Sequence, residues 1–207
     1  MTDIPRKRHW EHVYETKPTD TVSWYQRRPH ISLTLIDHAD LPLDAPIIDV
    51  GAGASTLVDH LLAEGRSDLS VLDISAAALD KVRERLGDGA GKVAWIAADV
   101  LGFAPSKRYA LWHDRAVFHF LTDASDRAAY LDALQRSLAP DGQVIVATFA
   151  LDGPERCSGL PVARYDVASL HAAFGDAFEL LESTRESHLT PGGAEQHFTY
   201  VRMQLRS

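Results

Sequence analysis

The sequence predicts an α/β fold, a doubly wound and mainly parallel sheet with helices on both faces that ends in an antiparallel hairpin. Two patterns predict it. Short apolar runs alternate with helical segments from about residue 46 to residue 178, as in sheets built from strand–helix–strand units. Residues 178–189 and 196–205 then alternate loosely on either side of a Pro-Gly-Gly turn, which indicates a β-hairpin.

The individual elements follow from local patterns. The predicted strands span residues 47–50, 70–73, 93–96, 109–113 and 143–149. Apolar residues recur at helical spacing over residues 57–62, 78–86, 130–138 and 167–174. Ser75 and Gly87 are suitable start and end residues for the second of these helices, and Pro140 ends the third.

Composition predicts one cytoplasmic domain over residues 1–207. A chain of 207 residues with 45% hydrophobic content can bury a full core. Cys157 is the only cysteine, which excludes an intrachain disulfide and favours a reducing compartment. The chain has no apolar run long enough to span a bilayer, and its first eight residues lack the apolar core of a signal peptide. We therefore expect no membrane partner.

The formal net charge of −8 argues against nucleic-acid binding, because proteins that bind phosphate backbones usually present a basic surface. Basic residues nevertheless crowd the N-terminal region, at Arg6, Lys7, Arg8, Lys17, Arg27 and Arg28. They are either a solvated face with ordinary ion pairs or a surface for an anionic substrate or an acidic partner.

Three acidic residues follow three successive predicted strands. Asp49 precedes a tight turn at Gly51 and Gly53, Asp73 ends the second strand, and Asp99 follows the third. The glycines let backbone N–H groups approach a ligand, and an acid about 20 residues farther on suits the two hydroxyls of a ribose. A third carboxylate could accept from an adenine amino group. The pattern indicates a nucleotide-like ligand.

This arrangement resembles the class I S-adenosylmethionine (SAM) dependent methyltransferases over residues 45–207. The resemblance implies a Rossmann-like sheet of seven strands, with residues 45–207 as the catalytic core and SAM as the cofactor. It also implies cofactor-binding roles for Asp49, Gly51, Gly53, Asp73, Ile74, Asp99, Val100 and Arg115. Ser55 and Ala110 depart from the family pattern, which often has glycine and aspartate at these positions.

Polar residues just past the fourth strand are the catalytic candidates. In class I methyltransferases this segment lines the methyl-transfer site, which points to Asp114 and His119. A histidine can accept a proton near neutral pH and a carboxylate can orient it. His119 lies in an apolar helical turn, so a structural histidine is the alternative. Arg115 could instead grip a substrate carboxylate.

Aromatic residues are dense before the first strand, at Trp10, Tyr14, Trp24 and Tyr25. Trp10 and Tyr14 share a helical face at i, i+4, which is either ordinary core packing or a lid that closes over cofactor and substrate. In the lid hypothesis residues 1–40 form a helical cover, and Tyr14 and Trp24 bind the cofactor. Their spacing is similar to the N-terminal extension of methyltransferase-like protein lysine methyltransferases, and more loosely to thiopurine and tellurite methyltransferases.

Several functions remain open from the sequence. A nicotinamide-dependent oxidoreductase is disfavoured, because its fingerprint requires glycine where this chain has Thr56. A SAM-dependent enzyme that methylates a small thiol, amine or oxygen acceptor is the main prediction. The alternatives are a protein lysine methyltransferase and a non-catalytic SAM-binding module. The ten histidines show no recognisable ligand spacing, and we predict no metal.

Overall fold

The structure, a computed structural model, describes residues 3–206. The bounds predicted for the domain (1–207) and the lid (1–40) therefore include residues 1, 2 and 207, which lie outside the described residues. The helices are α1 (Asp3–Thr16), α2 (His30–Asp37), α3 (Leu57–Ala63), α4 (Ala76–Leu86), α5 (Ala124–Ser137) and α6 (Val167–Phe174). The strands are β1 (Ile47–Val50), β2 (Leu69–Asp73), β3 (Val93–Ala97), β4 (Tyr109–Arg115), β5 (Leu138–Phe149), β6 (Arg156–Cys157), β7 (Leu160–Pro161), β8 (Phe178–Leu189) and β9 (Glu195–Leu205).

Seven strands form one sheet in the order β3-β2-β1-β4-β5-β9-β8. The first five pair in parallel, whereas β9 runs antiparallel to β5 and β8 runs antiparallel to β9. The predicted mainly parallel sheet with a terminal antiparallel hairpin is confirmed. Strand order reverses between β1 and β4, and ligands of open α/β sheets bind at the carboxyl ends of the strands that flank such a reversal.

Apolar side chains cover both faces of this sheet. Helices α2, α3 and α4 pack on one face through residues such as Leu35, Leu61 and Leu79. Helices α5 and α6 pack on the other through residues such as Tyr130 and Leu170. The two layers explain why β1 is buried at every position, as expected for a central parallel strand.

Several local boundaries differ from the sequence-based expectation, and two of these differences involve strands β5 to β7. Helix α5 ends at Ser137 and β5 begins at Leu138, because Leu138 pairs with Tyr109 of the neighbouring strand. Residues 156–161, for which the sequence predicts no strand, form the short antiparallel pair β6–β7. Two-residue strands carry too little pattern to be recognised from sequence.

Among residues 3–206, none of the helices is long and apolar enough to cross a membrane.

Candidate functional site

A cleft opens at the carboxyl ends of β1, β2 and β4, where the strand order reverses. It encloses about 730 Å³ with the solvent at its mouth included. Its lining includes Trp10, Tyr14, Trp24, Gly51, Asp73, Ile74, Asp99, Val100, Arg115, Val117, Phe120 and Cys157. Eight of the residues predicted from sequence to bind the cofactor therefore lie around one cleft: Tyr14, Trp24, Gly51, Asp73, Ile74, Asp99, Val100 and Arg115.

The turn after β1 requires glycine at two positions. Gly51 and Gly53 have φ values of 59° and 55°, which side chains other than glycine rarely adopt. A Cβ atom at Gly51 would lie 1.8 Å from Cγ2 of Val117, and one at Gly53 would lie 2.0 Å from the Tyr14 hydroxyl oxygen. The absence of side chains here lets the turn contact both the loop after β4 and helix α1.

Asp73 is held by the backbone at the tip of β2. Its Oδ2 accepts from the Gly53 N–H at 2.7 Å and its Oδ1 accepts from the Ser75 N–H at 2.8 Å. The side chain is only 5% exposed, and this burial outweighs the hydrogen bonds and raises the pKa of Asp73 to about 6. Each carboxylate oxygen has a second lone pair, so both remain able to accept from a pair of ribose hydroxyls.

Asp99 and Val100 lie at the other end of the cleft, after β3. Asp99 Oδ1 accepts from the Leu101 N–H at 2.9 Å, and its Oδ2 lies 3.5 Å from Nε of Arg6 on α1. Val100 begins a 3-10 turn, a position at which the backbone N–H has no intrahelical partner. A carboxylate beside an N–H of this kind is complementary to the amino group and ring nitrogen of adenine.

Helix α1 covers the cleft through aromatic contacts. The Trp10 ring packs edge-on against Trp24 and Phe120, with centroids 5.8 and 5.1 Å apart. Tyr14 packs against Trp24 at 6.3 Å and is 4% exposed. The aromatic face predicted from the i, i+4 spacing lines the same cleft as Gly51, and the Tyr14 hydroxyl lies against Gly53 of the glycine turn.

Arg115 joins the N-terminal segment to the sheet. Its guanidinium donates to the Tyr200 hydroxyl at 2.8 Å, to the Trp24 carbonyl at 3.1 Å and to Glu186 at 3.3 Å. Burial opposes its charge, but Tyr200 and Glu186 outweigh that effect and raise the pKa of Arg115. Because Glu186 neutralises it, Arg115 brings no net positive charge into the cleft.

A second cavity adjoins the cleft and shares Trp24, Gly51 and Arg115 with it. Asp49 and His113 form part of its lining, and Asp49 Oδ1 lies 2.7 Å from Nδ1 of His113. Asp49, predicted as a cofactor residue, is therefore in this neighbouring cavity. Gly53 shapes the turn without lining either space.

Asp114, predicted as a catalytic residue, is fully buried and lines neither cavity. Its carboxylate accepts from the N–H groups of Val117 and Phe118 at 2.9 and 3.1 Å and from the Tyr130 hydroxyl at 2.6 Å. Burial raises the pKa of Asp114 to about 6. This geometry supports a structural role, since Asp114 holds the loop that carries Val117 into the cleft.

His119, the other predicted catalytic residue, is also fully buried and lines neither cavity. Its Nδ1 accepts from the Phe149 N–H at 3.3 Å, and its ring packs on the rings of Phe120 and Phe149. Burial and the charge of Arg115 lower the pKa of His119 to about 3, so the ring stays neutral near pH 7. The geometry favours the alternative of a structural histidine.

Sequence reasoning assigned no role to several residues of the cleft and its cover, among them Glu11, Phe120 and Cys157. Glu11 contacts the start of α4, and its partners are 64 to 66 residues away, so no local pattern marks it. Cys157 reaches the cleft through the short β6–β7 pair. Within residues 3–206, no group of three or more His, Cys, Asp or Glu side chains could hold a metal ion.

Comparisons with known proteins agree with this geometry. Residues 47–142 match the family model described as a methyltransferase domain. The chain is similar in structure to the N-methyltransferase NodS from Bradyrhizobium japonicum WM9 in complex with S-adenosyl-L-homocysteine (SAH), with a TM-score of 0.72, 16% identity, and coverage of 96% of this chain and 100% of the other. No curated protein sequence matches the chain.

Two further solved structures share the fold. A SAM-dependent methyltransferase from Anabaena variabilis ATCC 29413 has a TM-score of 0.76 at 13% identity, with coverage of 99% of this chain and 95% of the other. The 1,6-didemethyltoxoflavin-N1-methyltransferase from Burkholderia thailandensis has a TM-score of 0.68 at 19% identity, with coverage of 99% and 85%. The domain match over residues 47–142, the strand order and the cleft at the strand reversal together support a class I SAM-dependent methyltransferase.

Proposed function

We propose that this protein transfers a methyl group from SAM to a small nucleophilic acceptor held under helix α1. The observation that carries the proposal is the position of α1: Trp10 and Tyr14 line the cleft together with Trp24 and Gly51, and α1 is hydrogen-bonded to the start of α4 through Glu11. A covered cleft suits a small acceptor better than a side chain presented by a folded protein. We also propose that residues 1–40 and 45–207 act as lid and catalytic core of one domain.

The cleft residues fit the cofactor from end to end. We assign Asp99 and Val100 to the adenine, Asp73 and Ile74 to the ribose, and the turn at Gly51 and Gly53 to the methionine portion, which extends toward Asp49 in the second cavity. Tyr14, Trp24 and Arg115 would cover the sulfonium end. The cofactor supplies a methyl group on a good leaving group, so the protein contributes mainly alignment and exclusion of water.

The chemistry of the acceptor end favours nitrogen or sulfur over an alkyl hydroxyl. The titratable residues at that end are Tyr14, Arg115 and Cys157. Burial raises the pKa of the Tyr14 hydroxyl, and it raises the pKa of Cys157 to about 11, so neither is ionised near pH 7. None of the three can accept a proton readily at neutral pH. An amine that arrives unprotonated or a thiol that ionises easily needs no such base.

The solved structures support a small acceptor as well. The Burkholderia enzyme binds 1,6-didemethyltoxoflavin, a small molecule, together with SAH. NodS is described as an N-methyltransferase. We apply this acceptor class to the present chain by analogy of fold and because aromatic side chains of the N-terminal segment line the cleft.

The test uses SAM labelled on its methyl group. The full chain is incubated with the small-molecule fraction and, separately, with the protein fraction of a cell extract, and SAH release and label are followed. We expect SAH release with label in low-mass compounds, and much less of both with Asp73→Ala as the cofactor-binding control. Label in a discrete protein would favour the protein lysine acceptor. Binding of SAM without SAH release in either fraction would favour a non-catalytic module.

A further inference from the structure

Three buried polar side chains connect helix α2 to the second cavity. Ser32 Oγ on α2 lies 2.9 Å from His113 Nε2, and His113 Nδ1 lies 2.7 Å from Asp49 Oδ1. Ser32, His113 and Asp49 are only 1%, 3% and 5% exposed, and all three line the second cavity. Asp49 and His113 are direct partners in the parallel register of β1 and β4, so the two strands fix their separation.

The direction of the hydrogen bonds follows from the acceptor at one end. An ionised carboxylate can only accept, so Nδ1 of His113 carries a proton and donates it to Asp49 Oδ1. Nε2 then accepts from the Ser32 hydroxyl when the ring is neutral, or donates to it when the ring is charged. In both states Asp49 Oδ1 is occupied by the histidine.

The other oxygen of Asp49 is left for a ligand. Oδ2 has no hydrogen-bond partner among the residues that the structure describes. A carboxylate that is almost fully buried is stable only when it meets a cation or further donors. The cavity it faces also contains Gly51 and Ser55 of the glycine turn, so a ligand that runs along this turn reaches the carboxylate.

We propose that His113 and Ser32 are positioning residues for the amino-acid end of the cofactor. They hold the Asp49 carboxylate in one rotamer, with Oδ1 on the histidine and Oδ2 directed at the α-ammonium group. This inference rests on the proposed function, because it needs the cofactor to extend from the cleft into the second cavity. It assigns a role to Ser32 on α2 and His113 on β4.

The test compares two ligands by calorimetry, SAH and an SAH analogue that lacks only the amino group. The ratio of their dissociation constants measures the contribution of the ammonium group and is insensitive to a general loss of stability. We expect the full chain to bind SAH at least tenfold more tightly than the analogue, as for a charge-assisted hydrogen bond in a buried site. His113→Leu should reduce that preference severalfold or abolish it.

Conservative variants separate positioning from packing. The amide nitrogen of asparagine is as many bonds from Cα as Nδ1 of histidine, whereas that of glutamine matches Nε2. His113→Asn should therefore keep most of the preference for SAH, and His113→Gln should lose it. Ser32→Ala should reduce the preference for SAH to a lesser degree than His113→Leu.

His171→Leu is the matched control, since His171 hydrogen-bonds the Phe178 carbonyl on the opposite face of the sheet. It should lower stability without changing the ratio. An unchanged ratio in His113→Leu and Ser32→Ala, with tight SAH binding retained, would overturn the positioning role and leave the proposed function standing. Failure of the full chain to bind either ligand would overturn both.

Discussion

The Glu11 carboxylate on α1 accepts a hydrogen bond of 2.8 Å from the Ser75 hydroxyl at the start of α4. The backbone N–H groups of Ala76 and Ala77 donate to the same carboxylate at 2.9 and 3.1 Å. A carboxylate at the N-terminus of a helix is stabilised by the unpaired N–H groups and by the helix dipole. Ser75 also donates its backbone N–H to Asp73, so the cover of the cleft and the proposed ribose acid meet at one residue.

Replacing Glu11 should loosen the cover. Glu11→Gln removes the charge that the α4 N-terminus stabilises. We expect the free energy that holds α1 against the rest of the protein to fall by about 1 kcal/mol, which is about fivefold in the equilibrium constant. The measurement is amide hydrogen exchange in α1, which should become faster, together with weaker SAH binding. Glu15→Gln, an exposed position on the same helix, is the control. Equal protection in both variants would show that the aromatic contacts alone dock α1.

The same contact should respond to acid. Hydrogen bonds from Ser75, Ala77 and Ala76 outweigh the effect of burial and hold the pKa of Glu11 below its usual value of 4.5. A carboxyl with a lowered pKa in the folded state contributes fully above its ordinary pKa and loses that contribution as the pH falls through the lower value. The α1 amides should therefore keep their protection down to about pH 5 and lose it at more acidic pH.

We predict that Asp73 binds the ribose hydroxyls of the cofactor and makes cofactor binding depend on pH. With a pKa of about 6, Asp73 is partly protonated in the unliganded protein below that pH. The ionised form is the stronger acceptor for ribose hydroxyls, so SAH affinity should fall as the pH drops below about 6.

Asp73→Asn should weaken SAH binding at pH 7 by at least tenfold and flatten this pH dependence, because an amide does not titrate in this range. Calorimetry across pH 5 to 8 measures both effects. If Asp73→Asn bound SAH as tightly as the unsubstituted protein does, Asp73 would not be a cofactor-binding residue.

The fold was predictable because its signals are local and repeated. Ser75 and Gly87 start and end α4 as expected, since capping depends on neighbouring backbone groups. The acids Asp49, Asp73 and Asp99 lie at three strand ends because parallel strands place their carboxyl ends along one edge of the sheet.

The catalytic candidates were harder to predict because sequence shows which residues follow a strand but not which way they face. Asp114 lies on β4 next to Arg115, and alternate residues of a strand point to opposite faces. Arg115 therefore faces the cleft while Asp114 points toward Tyr130 on α5. The contact between His113 and Asp49 could not be predicted from the sequence for a related reason, since the register between two strands is not visible there.

Asp114 is expected to act on stability. In Asp114→Asn, an amide NH2 group replaces one carboxylate oxygen and meets the donors of Val117, Phe118 or Tyr130, where only an acceptor fits. We expect the free energy of unfolding to fall by about 2 to 3 kcal/mol. Thermal unfolding measures this loss, and SAH affinity should fall less than tenfold while the protein is folded.

His119→Gln should leave turnover within about tenfold of that of the unsubstituted protein, because a group with a pKa of about 3 is a weak base. If turnover fell by about 10²-fold at unchanged stability in Asp114→Asn or His119→Gln, the substituted residue would be catalytic after all.

Gly53 and Gly87 provide a matched pair for the contact between the glycine turn and the cover. Both have positive φ values, 55° and 53°, so alanine adds backbone strain at both positions. Their surroundings differ, because a Cβ at Gly53 meets the Tyr14 hydroxyl oxygen at 2.0 Å whereas one at Gly87 meets nothing within 4 Å. Gly53→Ala should therefore displace Tyr14, speed hydrogen exchange in α1 and weaken SAH binding by more than tenfold, and Gly87→Ala should lower only the melting temperature. Equal effects of the two substitutions on SAH affinity would mean that Tyr14 does not need its position over the turn for the cofactor to bind.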